Sequence, residues 1–244
     1  SRERYEKWRS LAESSNRVRV SYLPGEQVHD EFVRLCAEEP VKQIWVSCYS
    51  FDRKETCAAL ELVRNKGVSV VILADKDQFC NHTKEMMSSL FALKSQGAQV
   101  RLGEGSSVRD AYRAAGRDFG GGLLGKQHCK TVLLKMEYSD VEALEGEEYI
   151  CLMGSANWSV ATGANHESNV KIESPPGTFV RDWLKDFYEW WERGACIVEV
   201  ERESSQKKQA ERTRRIIEDD EEDGKPFRRS GSRSQGRYGK KTGN

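Results

Sequence analysis

The 244-residue chain has room for one large domain or two small ones, and it is 37% hydrophobic against 32% charged, a balance that suggests charged extensions on an ordinary core. Its 39 basic and 39 acidic residues cancel, so the field of the whole molecule directs it to neither nucleic acid nor an anionic membrane. No apolar run is long enough to span a bilayer, no signal peptide is legible, and the seven scattered cysteines contain no C-x-x-C pair; this argues against a transmembrane protein, a zinc ribbon and a disulfide framework, and for free thiols in a reducing, intracellular compartment.

Residues 1–16 are polar, with Tyr5, Trp8 and Leu11 at helical spacing, and read as an N-terminal extension carrying a short helix. Residues 17–22 alternate like a strand that Pro24-Gly25 ends, and 27–37 set Val28, Phe32, Leu35 and Cys36 on one helical face. A buried strand follows at 43–51, a helix at 54–65 capped by Gly67, and an apolar strand at 68–74. The stretch 82–95 reads as a helix closed by Gly97, and 99–102 as a short strand. This alternation predicts an α/β domain over 17–200, a mainly parallel mixed sheet flanked by helices. Residues 103–125, rich in Gly, Ser and Arg, form a loop long enough to be functional.

A hairpin is expected next, with strands 129–137 and 149–153 around a turn at 138–147. The helix 179–193 carries the aromatic stripe Phe179, Trp183, Phe187, Trp190 and Trp191, the mark of a core or interface face. Gly194 ends it, and 196–200 reads as a last strand. Residues 201–244 read as a charged disordered tail: an acidic block at 218–223 gives way to seven basic residues and no acidic ones.

Two segments carry chemistry. His128-Cys129-Lys130 enters the first hairpin strand and Gly154-Ser155-Ala156-Asn157 leaves the second. Alternation along a strand puts His128 and Lys130 on one face, and Ser155 and Asn157 on another. The hairpin then brings an imidazole, an ammonium, a hydroxyl and an amide together. Lysine supplies positive charge, serine and asparagine supply neutral donors for phosphoryl oxygens, and histidine can attack phosphorus or protonate a leaving oxygen. No carboxylate cluster suggests a divalent metal, so chemistry with neither metal nor cofactor is favoured. His29, His82 and His166 take structural or solvated roles in this reading.

H-x-K followed by G-S-x-N resembles the signature of the phospholipase D superfamily, the HKD enzymes. The likeness extends to Asn165-His166-Glu167-Ser168-Asn169, similar to the segment that follows the motif, to Val46–Phe51 as the family's second core strand, and to the Trp-containing helix at 182–191. It covers roughly 17–194 and one motif copy, as in the bacterial endonucleases and the mitochondrial cardiolipin hydrolase, or Zucchini, group. The family usually has Asp where this chain has Lys135; strand parity turns that position away from His128 and Lys130, and Glu137 and Asp140 are the nearby carboxylates that could substitute.

The resemblance implies a two-step displacement through a phosphohistidine on His128, a second His128 from a homodimer partner as acid and base, Lys130 and Asn157 on the phosphoryl oxygens, and Ser155 and Glu167 as orienting groups. For the substrate, the Arg-rich tail and Arg109, Arg113 and Arg117 in the long loop favour a nucleic acid. Kinship with cardiolipin hydrolases keeps an anionic phospholipid as the alternative. A catalytically impaired nucleic-acid-binding dimer, marked by Lys135, is the third reading.

Overall fold

The computed structural model describes residues 18–81, 84–107, 116, 124–138 and 146–223. Strand β1 (Arg19–Pro24) turns at Gly25 into helix α1 (Gln27–Glu38), which buries Val28, Phe32, Leu35 and Cys36 along one face. Strand β2 (Val41–Cys48) buries every residue from Ile44 onward, the pattern of a strand covered on both faces. Helix α2 (Lys54–Asn65) has the expected bounds. It ends where Gly67 takes φ +83°, with Gly67 N–H on the Arg64 carbonyl at 2.9 Å and Val68 N–H on that of Val63 at 3.0 Å. Glycine takes that left-handed conformation without strain, and the chain reverses into strand β3 (Ser69–Asp75).

Helix α3 (Lys76–Asn81) follows with no loop, then α4 (Lys84–Ser95) and strand β4 (Gln99–Ser107). Strands β5 (Leu124–Lys126), β6 (Lys130–Tyr138) and β7 (Gly146–Gly154) come next, then a 3₁₀ turn at Val160–Ala164 and strand β8 (Ser168–Ser174). Helix α5 (Thr178–Arg193), the two-residue strand β9 (Ala195–Cys196) and helix α6 (Ile197–Asp223) complete the order. No helix among the described residues is long and apolar enough to cross a membrane.

The α/β architecture, a mixed sheet flanked by helices, is as the sequence leads one to expect. Its strands run β1-β8-β7-β6-β2-β3-β4-β5, with β9 on β4. Among the described strands only β2 with β3 and β3 with β4 pair in parallel, so the expectation of a mainly parallel sheet is corrected. The helical crossovers make only that part. The β6–β7 hairpin inserts beside β2 in antiparallel sense, and β8 and β1 extend it the same way.

Strand alternation sorts the core onto two faces. Ile44, Val46, Ile72, Val132 and Leu134 meet Phe32 and Leu35 of α1, Leu60 of α2 and Leu90 of α4 on one side. Trp45, Val71, Leu73, Leu133 and Cys151 meet Val180, Phe187 and Trp191 of α5 on the other. Each such large apolar side chain contributes about 1.5–3 kcal/mol on burial. The aromatic stripe at 179–193 is thus core.

Two further expectations change. Of the strand expected at 196–200 only Cys196 lies in one, β9; residues 197–200 begin α6, where Ile197 and Val200, one helical turn apart, are both buried. The chain divides into two units, Ser1–Arg202 and Glu203–Asn244. The expected disordered tail begins instead as helix, to Asp223. High charge suggests disorder, but Glu, Lys, Gln, Ala and Arg are also strong helix formers, and pairs such as Glu203 with Lys207 have the favourable i, i+4 spacing. The N-terminal extension, the turn at 139–145 and the tail from 224 lie outside the described residues.

Helix α1 also buries His29, whose two ring nitrogens have no partner among the described residues. Burial, then the Arg53 charge, pushes its pKa from 6.5 to about 4. As pH falls the unfolded chain takes up this proton before the folded one, so the contribution is complete above pH 6.5 and is lost between 6.5 and about 4. Its size is roughly 3 kcal/mol. A His29→Phe chain should therefore lose less stability than the parent between about pH 7 and pH 4 in urea titrations; equal losses would contradict this.

Candidate active site

Register places the chemistry. Lys130 faces Cys48 across β6 and β2, and Thr131 faces Met153 across β6 and β7. The start of β6, the end of β7 and the carboxyl ends of β2 and β3 therefore meet at one end of the sheet, where open α/β sheets gather ligand-binding groups.

The structure brings His128 and Lys130 together. Lys130 Nζ lies 3.0 Å from His128 Nε2 and 3.1 Å from the His128 carbonyl oxygen. An ammonium only donates, so Nε2 is the accepting atom and Nδ1 carries the proton of the neutral ring. The Tyr49 ring meets the imidazole edge-on, with centroids 4.6 Å apart. Lys130 Nζ stands 5.3 Å and Lys126 Nζ 5.8 Å from the Tyr49 centroid, close enough for cation–π attraction. Lys126 is ion-paired to Asp77. Burial, then Lys130 and Lys126, push the His128 pKa below its ordinary value, while Asp75 opposes them. Burial likewise lowers the Lys130 ammonium, against the charges of Cys129 and Glu167.

The second segment is held from beneath. The Ser155 hydroxyl donates to Glu167 Oε2 and accepts the Ser168 N–H at 2.9 Å. Ser155 and Glu167 thus form a pair, with Glu167 buried and its charge reaching Lys130. Asn169 ties the segment down further: its Oδ1 accepts the Ala156 N–H at 3.0 Å, and its Nδ2 donates to the Leu23 and Gly25 carbonyls at 3.3 and 3.1 Å. Gly154 is obligatory here, since a Cβ would lie 2.6 Å from Asn169 Cα and closer still to Asn169 Oδ1 and the Ser168 carbonyl oxygen. Asn157 turns Oδ1 into the interior, where that atom has no partner among the described residues. Its carbonyl accepts the Thr162 hydroxyl at 2.6 Å.

Other expected residues lie elsewhere. Lys135 sits in mid-strand opposite Gln43 and Tyr149, on the sheet face covered by α5. Five residues of extended chain put it about 17 Å from Lys130. Glu137 lies further along β6 and pairs with Lys42 at 2.8 Å, so it does not substitute for a carboxylate at the site. His166 is exposed. Arg109, Arg113, Arg117, His82 and Asp140 lie outside the described residues. Among the described residues no group of three or more His, Cys, Asp or Glu is placed to hold a metal ion.

Sequence reasoning passes over Tyr49, Asp75 and Gln127 as individual residues. One signal points to Asp75: an acidic residue that ends an apolar strand and precedes a helix is an N-cap candidate.

Residues 35–191, more than half the chain, match the protein-family model described as cardiolipin synthase, PLD-like domain. No curated protein matches the sequence. Among solved structures the chain is similar to NucT from Helicobacter pylori, at 16% identity and a TM-score of 0.57, over 74% of this chain and 99% of that one. It is also similar to Nuc from Salmonella typhimurium, a phospholipase D family member, at 17% identity and a TM-score of 0.51, over 74% of this chain and 97% of that one. At such identities these two likenesses speak to the fold.

Proposed function

The chain belongs to the phospholipase D superfamily, and from that we propose that it is a metal-independent phosphodiesterase that hydrolyses nucleic acid through a phosphohistidine intermediate. The observation that carries this reading is the 3.0 Å approach of Lys130 Nζ to His128 Nε2, beside the Ser155–Glu167 pair. An arriving phosphodiester draws the ammonium onto a non-bridging oxygen and frees the Nε2 lone pair. Nε2 then forms a bond to phosphorus while the bond from phosphorus to the leaving oxygen breaks. The leaving oxygen takes a proton from His128 of the partner subunit, which enters the reaction as the imidazolium, and the neutral ring so formed next removes a proton from the water that displaces His128. One water is consumed and both imidazoles return to their starting state.

Asn157 suits the role of donor to a second phosphoryl oxygen, because its interior-facing Oδ1 leaves Nδ2 directed the other way. Ser155 is engaged with Glu167 and Ser168, which favours an orienting role. The dimer supplies the second imidazole that one motif copy lacks. The exposed apolar residues Val20 and Tyr22 of the edge strand β1, 63% and 60% exposed, offer surface for a second copy to cover, on the sheet face that Met153 shares and His128 does not. An active species that sediments as a monomer would overturn the shared site.

The polar surroundings, with Lys126, Asp77, Tyr49 and Gln78 around the imidazole, favour a nucleic-acid strand over an acyl-chain lipid. The test offers single-stranded DNA, RNA, duplex DNA and cardiolipin vesicles to the protein in EDTA. Cleavage of a nucleic acid supports the reading, cleavage of cardiolipin alone replaces the substrate, and activity restored only by added metal removes the mechanism. A Lys135→Asp chain should hydrolyse at a rate within about threefold of the parent, because position 135 is more than a screening length from Lys130. A gain of a hundredfold would give Lys135 the inactivating role.

A further inference from the structure

Asp75 is a buried carboxylate, 1% exposed, at the carboxyl end of β3. Its two oxygens serve two elements. Oδ1 accepts the N–H of Gln78 in the first turn of α3, and Oδ2 accepts the N–H of Gln127, each at 2.8 Å. Gln127 immediately precedes His128, is itself buried, and anchors its side chain on Ser47 Oγ at 2.7 Å. Gln78 passes the other connection on: its Nε2 donates to the Tyr49 hydroxyl at 2.6 Å, and the Tyr49 ring is the surface against which the imidazole rests.

We propose that Asp75 is the positioning residue of His128, fixing through one carboxylate both the peptide that leads into the imidazole and the tyrosine ring beside it. A capping role for α3 alone would occupy one oxygen. The second oxygen is spent on the irregular segment between β5 and β6, which has no ladder partner of its own to hold it still. A charge-assisted bond to each N–H is shorter and stronger than a neutral one, and the low-dielectric site strengthens it further. The carboxylate also acts on the imidazole through its charge, favouring the protonated ring.

Several ionisable groups face the imidazole. Lys130 belongs to its own segment, Tyr49 follows β2, and Asp75 ends β3, while Cys129 acts on Lys130. Lys126 comes from β5 with its partner Asp77 from α3, and Glu167 reaches it through Lys130. Among these Asp75 is a buried acid whose charge opposes the two lysines at the imidazole itself.

The kinetic arm of the test rests on the proposed phosphodiesterase reading; the spectroscopic arm does not. In the full chain carrying Asp75→Asn, the imidazole of His128, followed by NMR, should titrate at lower pH than in the parent. On the active substrate kcat should fall on the order of 100-fold, with KM within about threefold, as expected for a misplaced reacting group. A folded variant with the parental His128 titration overturns the proposal, whether or not kcat falls, because a merely structural role would leave that titration unmoved. Should the variant not fold, the parent decides: the amide signals of Gln78 and Gln127 should both follow the Asp75 titration, and a Gln127 signal blind to it overturns the proposal. A parent that cleaves no phosphodiester removes the functional reading, while the two titrations still decide the role of Asp75.

Discussion

Replacing His128 with alanine should lower phosphodiester hydrolysis by about 10⁴-fold or more while leaving the fold intact. The imidazole has a nitrogen that can both attack phosphorus and carry a proton, and in the proposed reaction it appears twice, once in each subunit. Losing it removes the nucleophile and the acid–base group together. The fold should survive because His128 is exposed, with its imidazole on Lys130 and against the Tyr49 ring rather than in the core. Melting curves should superimpose and rates should not. A His128→Ala chain that keeps a tenth of the parental rate would show that another group attacks phosphorus.

Gly154→Ala is the second large effect expected, and it acts through stability first. The added methyl would overlap the backbone of β8 as well as the Asn169 amide. The backbone cannot yield without breaking the Ser155 N–H bond to the Ser168 carbonyl, 3.1 Å in the parent, and the Asn169 amide cannot yield without freeing the buried Ala156 N–H. Overpacking costs about 1–3 kcal/mol, and an unsatisfied buried donor about as much again. The expected loss is about 3–5 kcal/mol in chemical denaturation, with the Ser155–Glu167 pair displaced and activity lost with it. A loss below about 1 kcal/mol would mean that the β7–β8 ladder is softer than its register implies.

How much of this was open to the sequence follows from the range of each interaction. Helix α2 is legible to the residue because its signals are local: an apolar stripe at helical spacing and a glycine stop. The two halves of the site are legible because H-x-K and G-S-x-N flank a single hairpin, and a hairpin fixes its own register. The sheet order is less so. Nothing in β6 or β8 announces that each pairs antiparallel on both sides, since buried strands of either sense read as apolar runs. Helix α6 is missed because its charges say disorder while its residue types say helix. Asp75 and Tyr49 escape individual notice because each meets the His128 segment across strands far apart in the chain, by contacts with no sequence spacing.

The bond from Lys130 to Nε2 also bears on how the resting protein withstands reactive small molecules. The lone pair that would be alkylated or acylated is already committed, so an uncharged electrophile must compete with an ammonium held 3.0 Å away. Under the proposed mechanism a phosphodiester escapes that competition, because its anionic oxygens would recruit the same ammonium as it approaches. In the proposed reaction the same contact would act as a safety catch that the negative charge of a phosphodiester releases.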